Sequence, residues 1–104
     1  MTPEGKVQKE IQKAVKLAGG LVRKMRWEGR RGAADLCIML NGHVVFVEVK
    51  KPGGTPERHQ IREHARMRKR GARVEVIDTI ANWHKLVAEL VAVDYINPVN
   101  GSED

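Results

Sequence analysis

Asn41-Gly42, set between the apolar runs Leu36–Leu40 and Val44–Val47, constrains this chain more than any other feature. An Asn-Gly pair between apolar segments is the strongest short-range signal for a two-residue hairpin turn, because both central residues must take positive φ. If Leu40 pairs with His43 across that turn, paired residue numbers sum to 83 and Asp35 falls opposite Glu48. Side chains alternate faces along a strand, so Asp35, Cys37 and Met39 share a face with Val44, Phe46, Glu48 and Lys50. Directly opposed Cβ atoms lie roughly 4.5–5.5 Å apart, and like charges placed so are destabilising. Two carboxylates among apolar neighbours need a counter-charge, which a divalent cation supplies. The ordinary alternative is a solvated edge acid, with Lys50 on the same face forming a structural ion pair.

Asp35 followed by Glu48-Val49-Lys50 on the next strand resembles the signature of the PD-(D/E)XK nuclease superfamily. More narrowly, Gly32-Ala-Ala-Asp35-Leu36, Glu48-Val-Lys-Lys-Pro-Gly-Gly54 and Gln60 resemble the virus-type replication-repair nuclease (VRR-NUC) family, from Glu4 to about Leu90. The resemblance implies an α/β fold, a central mixed β-sheet flanked by helices in a restriction-endonuclease-like core. It also implies a metal site of Asp35, Glu48 and the Val49 carbonyl, with Lys50 as the catalytic cation and Gln60 as an active-site contact. The family's helix-one glutamate and apolar-Gln pair match Glu4, Val7 and Gln8, so Glu4 is carried over to the metal site, with Glu10 in reserve. One departure is plain: Ala34 precedes Asp35 where the family usually has proline, which implies a looser approach to the acid.

At 104 residues the chain suits one domain, expected over residues 1–93, with 94–104 as a tail. The net charge is +6; residues 94–104 hold three of the thirteen acids and no Lys or Arg, leaving +9 on residues 1–93. A compact basic body favours a polyanion, nucleic acid first and anionic membrane second, although many small proteins are basic without such a partner. Cys37 is the only cysteine, so no disulfide forms within one chain. With no signal-peptide pattern and no apolar run long enough to span a bilayer, a cytoplasmic setting is expected, in a bacterium or phage-infected cell.

Thr2-Pro3-Glu4 reads as a helix start, with Thr2 as cap and Pro3 at the first helical position. Val7, Ile11, Ala14 and Ala18 mark its buried stripe, and Gly19-Gly20 ends it. Helical geometry puts Glu4 almost in line with Ile11. A first-turn acid complementing the helix dipole is the plainer reading of Glu4. Residues 21–28 suit a strand, followed by the basic loop Gly29–Gly32. Arg23, Arg26, Arg30 and Arg31 gather there around Trp27, a pattern suited to phosphate contacts, while Trp27 itself reads as core. Pro52-Gly-Gly54 stops the central strand, and Thr55-Pro56-Glu57 starts a helix to about Arg70 with a thin stripe of Ile61, Ala65 and Met67. Arg58, Arg62 and Arg66 on that helix, with Lys51 before it, extend the DNA-binding set. Arg73–Ile77 is a short strand. A helix from Ile80 to about Ala92 carries the best apolar stripe, half of a core or half of a dimer contact.

The leading expectation is therefore an Mg²⁺- or Mn²⁺-dependent DNA endonuclease. The resemblance includes small nucleases, many phage-encoded, that pair as homodimers and cut branched DNA such as four-way (Holliday) junctions. The alternatives are a non-catalytic basic nucleic-acid-binding module with structural carboxylates, and a nuclease subunit targeted by a partner.

Overall fold

The computed structural model describes residues 1–29 and 32–96, the last six by backbone alone. The element order is α1 (Pro3–Leu17), β1 (Leu21–Lys24), β2 (Leu36–Leu40), β3 (His43–Val49), α2 (Arg58–Lys69), β4 (Arg73–Ile77) and α3 (Ile80–Ile96). Four strands form one mixed sheet in the order β1-β2-β3-β4. β2 and β3 are antiparallel in the expected register, from Leu40 with His43 to Leu36 with Val47. Asn41 at φ 57° and Gly42 at φ 83° both take the left-handed conformation that a type I′ turn demands. β3 and β4 run parallel, with Glu48 beside Val76, so α2 is the crossover between them.

Alternation along β2 and β3 sorts the protein into two unlike layers. Leu36, Ile38, Leu40, Val45, Val47 and Val49 face Val7, Ile11 and Val15 of α1 and Trp83, Leu86 and Leu90 of α3 in one apolar cluster. The α3 stripe is thus spent inside the chain, which resolves the choice between core and dimer contact for those three residues. The other sheet face presents Glu48 to Gln60 of α2 and Phe46 to the Trp27 ring. Burying a Leu, Ile or Val side chain contributes about 1.5–3 kcal/mol, so the first face carries the stability and leaves the second for polar groups.

Thr2 caps α1 as expected, its hydroxyl accepting the Gly5 N–H at 3.0 Å, and Pro3 opens the helix. The buried stripe is Val7, Ile11 and Val15, whereas Ala18 is the exposed C-cap. α1 and α2 end alike, with Gly19 and Gly71 at positive φ and the next amide bonded back to Val15 and Met67 respectively. β1 stops at Lys24, short of the expected Glu28. α3 continues to Ile96, and residues 97–104 of the expected tail lie outside the described residues. No described helix is long and apolar enough to cross a membrane.

Candidate active site

The site forms where β2 and β3 stop pairing. Leu36 with Val47 is the last matched couple. The Asp35 N–H then donates to the Val47 carbonyl at 3.0 Å, one residue short of Glu48, so the ladder takes a bulge-like step and direct opposition is lost. The step turns the Asp35 carboxylate along the strand, where Oδ2 accepts the Val49 N–H at 2.9 Å. In an extended strand the N–H and C=O of one residue face the same neighbour. The Val49 carbonyl therefore opens on the Asp35 side as well.

The approach to Asp35 is firm despite Ala34 standing in place of proline. Ala34 is buried, and its carbonyl accepts the Trp27 Nε1–H at 2.9 Å. The Trp27 ring packs on Phe46 with centroids 5.8 Å apart. Gly32, at φ 86°, lies against the start of α2: a Cβ there would fall 2.8 Å from the Gln60 Cα and 2.9 Å from the His59 carbonyl. Tertiary contact thus supplies the stiffness that a proline ring would have given. Gly32→Ala is expected to destabilise the protein by roughly 1–3 kcal/mol, read as a lower urea midpoint, because both the φ and the backbone contact forbid a side chain.

Glu48 is 3% exposed, and each of its oxygens has a different neighbourhood. Oε2 accepts Gln60 Nε2–H at 3.0 Å and lies 3.7 Å from Lys50 Nζ. Oε1 is buried without a hydrogen-bond partner and lies 3.6 Å from His64 Nε2, which is likewise buried and unpartnered. Burial, then the Asp35 charge, raise the Glu48 carboxyl from 4.5 to about 8, against the lowering pull of Lys50 and Gln60. Gln60 is held in turn by the Glu57 N–H, which donates to Oε1 of Gln60 at 2.9 Å. One amide thus serves the helix start and the carboxylate together, and Glu57, not Thr55, is the N-cap.

The structure brings Asp35, Glu48, Val49, Lys50 and Gln60 together; Glu4, at the exposed start of α1, forms no hydrogen bond or ion pair with them among the described residues. Met1 to Glu4 are all exposed. Glu10 lines a shallow depression with Met1, Lys6, Lys9 and Lys13, none of them from the hairpin. No three His, Cys, Asp or Glu side chains among the described residues group to hold a metal ion. Two carboxylates nevertheless fit a hard cation such as Mg²⁺, which keeps several waters and binds through one or two protein carboxylates. The partnerless Glu48 Oε1 beside a second carboxylate is the observation in favour of that fit.

α2 departs most from expectation. Ile61 is 54% exposed and Ala65 is exposed, while Glu63 and His64 are buried. Its inner face is polar because it lies over a carboxylate. His64 is the site-facing residue that apolar patterning missed; Gln60 and His64, four apart, share a helix face and could have revealed it. Of the basic set, Arg23, Arg26, Lys51, Arg58 and Arg62 are exposed. Arg66 is exposed but paired with Glu63 at 2.9 Å, which lowers its availability to phosphate. Arg30 and Arg31 lie outside the described residues.

No family model matches the chain. A solved structure titled "VRR_NUC domain" superposes with a TM-score of 0.78 at 46% identity, over 85% of this chain and 97% of that one. A phage protein named "Putative nuclease p44", from Acyrthosiphon pisum secondary endosymbiont phage 1, is 40% identical over 77 residues, 73% of this chain and 83% of the relative. "UPF0102 protein gll3754" of Gloeobacter violaceus is 50% identical over 50 residues, 46% of this chain and 40% of that protein. Those similarities agree with the mixed four-stranded sheet and three helices, and on them this chain belongs to the VRR-NUC family of nucleases.

Proposed function

We propose that the chain is a divalent-metal-dependent DNA endonuclease, acting on branched DNA as a homodimer. The pair of half-buried Asp35 and buried Glu48, with Lys50 on the same sheet face, carries this reading. Asp35, Glu48 and the Val49 carbonyl would hold Mg²⁺ or Mn²⁺. When bound, such an ion acidifies a water and offsets charge on the phosphoryl oxygens. Gln60 holds Glu48 in place through Oε2, and Asp35 is held by the Val49 N–H. Lys50, 18% exposed at its side chain, supplies a fixed cation able to meet a phosphate from solvent. Glu4, exposed at the start of α1, is a further candidate for the metal site, reaching it directly or through water.

Exposed Arg58 and Arg62 on α2, Lys51 before it, and Arg23 and Arg26 near β1 favour a polyanionic substrate. Sequence-independent phosphate contacts of this kind suit recognition by shape more than by base. A two-fold dimer would present two sites to two strands of opposite polarity. The test is a panel of labelled single-stranded, duplex, flap and four-way DNA incubated with Mg²⁺, Mn²⁺ or EDTA, alongside light scattering. Metal-dependent cutting of the four-way substrate by a dimer is expected. Binding without cutting in either metal would favour a non-catalytic module, and a monomer would remove the two-site argument.

A further inference from the structure

His64 is 1% exposed, yet its Nε2 has no hydrogen-bond partner, and the atom it faces at 3.6 Å, Glu48 Oε1, has none either. Leaving a buried polar group unsatisfied is unfavourable, so two such atoms turned toward one another call for an explanation. Gln60, one helical turn away, already donates to the other oxygen of the same carboxylate. We propose that His64 is a positioning residue for Glu48: carrying its proton on Nε2, it donates to Oε1 of the ionised carboxylate in the metal-loaded enzyme. The proposal rests on the metal-dependent nuclease reading and extends it.

The geometry supplies the rest of the argument. Gln60 and His64 project from one rigid helix at i and i+4, so together they address both oxygens of one carboxylate. An ionised carboxylate is a stronger acceptor than a neutral acid, and a second donor stabilises that form against the burial that opposes it. At 1% exposure the ring has no solvent to give its N–H to, and Glu48 Oε1 is the acceptor that Nε2 faces. Enclosure also keeps it from water and phosphate, so its effect passes through Glu48. Partners that orient ligating groups in this manner commonly carry much of a site's metal affinity.

The test compares wild type, His64→Gln and His64→Met. The two replacements are similar in length and volume, but only Gln presents an N–H. Mn²⁺ affinity, from melting temperature across a metal titration, is expected to weaken about 10–100-fold in His64→Met and to stay near wild type in His64→Gln. DNA retention in EDTA is expected to be alike in all three. Independently, two-bond ¹H–¹⁵N spectra of the wild type with Mg²⁺ should show Nε2 as the protonated ring nitrogen. Equal Mn²⁺ affinity in the Gln and Met variants, or a bare Nε2, overturns the assignment. The spectra decide it even if His64→Met does not fold. A wild type whose melting ignores Mn²⁺ overturns the nuclease reading and this role with it; a normal response with equal variants overturns the role of His64 alone.

Discussion

Lys50→Ala is expected to lower cleavage at saturating metal by about 10²–10³-fold, the usual loss when one preorganised charge is withdrawn from a developing oxyanion. Lys50 is no metal ligand, and its N–H bonds the Ile77 carbonyl through the backbone, which alanine preserves. Fold and DNA binding in EDTA should therefore remain close to wild type. One side effect is calculable in sign. Lys50 lowers the Glu48 carboxyl, so its removal raises that group further, and metal binding at neutral pH should weaken. Assays at rising Mn²⁺ separate the two consequences: the weakened binding is recovered by excess metal, the lost charge is not. Lys50→Arg is not expected to restore the rate, because a planar fork does not replace a compact ammonium. Near wild-type cleavage by Lys50→Ala would confine Lys50 to a structural ion pair with Glu48.

The hairpin and its chemistry were legible because local rules and the fold agree there. Asn41-Gly42 admits one turn type, the turn sets the register, and the register puts Glu48 and Lys50 on one face. Where the ladder ends, the rule ends with it. The step at Asp35 depends on Trp27, Gly32 and Ala34 packing on α2 and β3, contacts with no local signature. Glu4 shows a different limit: periodicity sets it in line with Ile11, yet Ile11 is fully buried and Glu4, in the first turn, is exposed. α2 shows a third. Amphipathic reading finds the buried side by its apolar residues, and it chose Ile61 and Ala65. A helix lying over an active carboxylate inverts that pattern, burying Gln60, Glu63 and His64 more than Ile61. The polar inner face is where the sequence breaks the folding rule, and it is the face that meets Glu48.

Asp35→Asn is expected to leave the metal-free protein as stable as wild type or more so, while abolishing most of its response to metal. Glu48 fixes the sign. Its carboxyl is raised in the folded state to about 8, first by burial and then by Asp35, from an ordinary 4.5. A raised pKa means the folded state holds a proton that the unfolded chain has released. The associated stability is complete below about pH 4.5 and is lost as pH rises through 8, a decline on the order of 5 kcal/mol. Metal-free wild type should thus melt progressively lower between those limits. Glu48→Gln should flatten the slope. Asp35→Asn should reduce it without removing it, because burial, the larger cause, is untouched. Mn²⁺ reverses the trend by favouring the ionised pair. At a hundred times Kd it stabilises by ~2.7 kcal/mol, roughly 10–20 °C in a domain of this size. That gain should be larger at pH 8 than at pH 5.5, where the metal competes with the Glu48 proton. The Asn variant keeps an oxygen for the Val49 N–H but no second negative charge, so its fold should survive and its Mn²⁺ response should not. Melts of all three proteins in EDTA and in Mn²⁺, at both pH values, read every part of this. If Asp35→Asn melted lower in EDTA at pH 8 and wild type ignored millimolar Mn²⁺, the pair would be an ion-paired strand end stabilised by Lys50, since only mutual repulsion between two neighbouring carboxylates makes loss of one of them favourable.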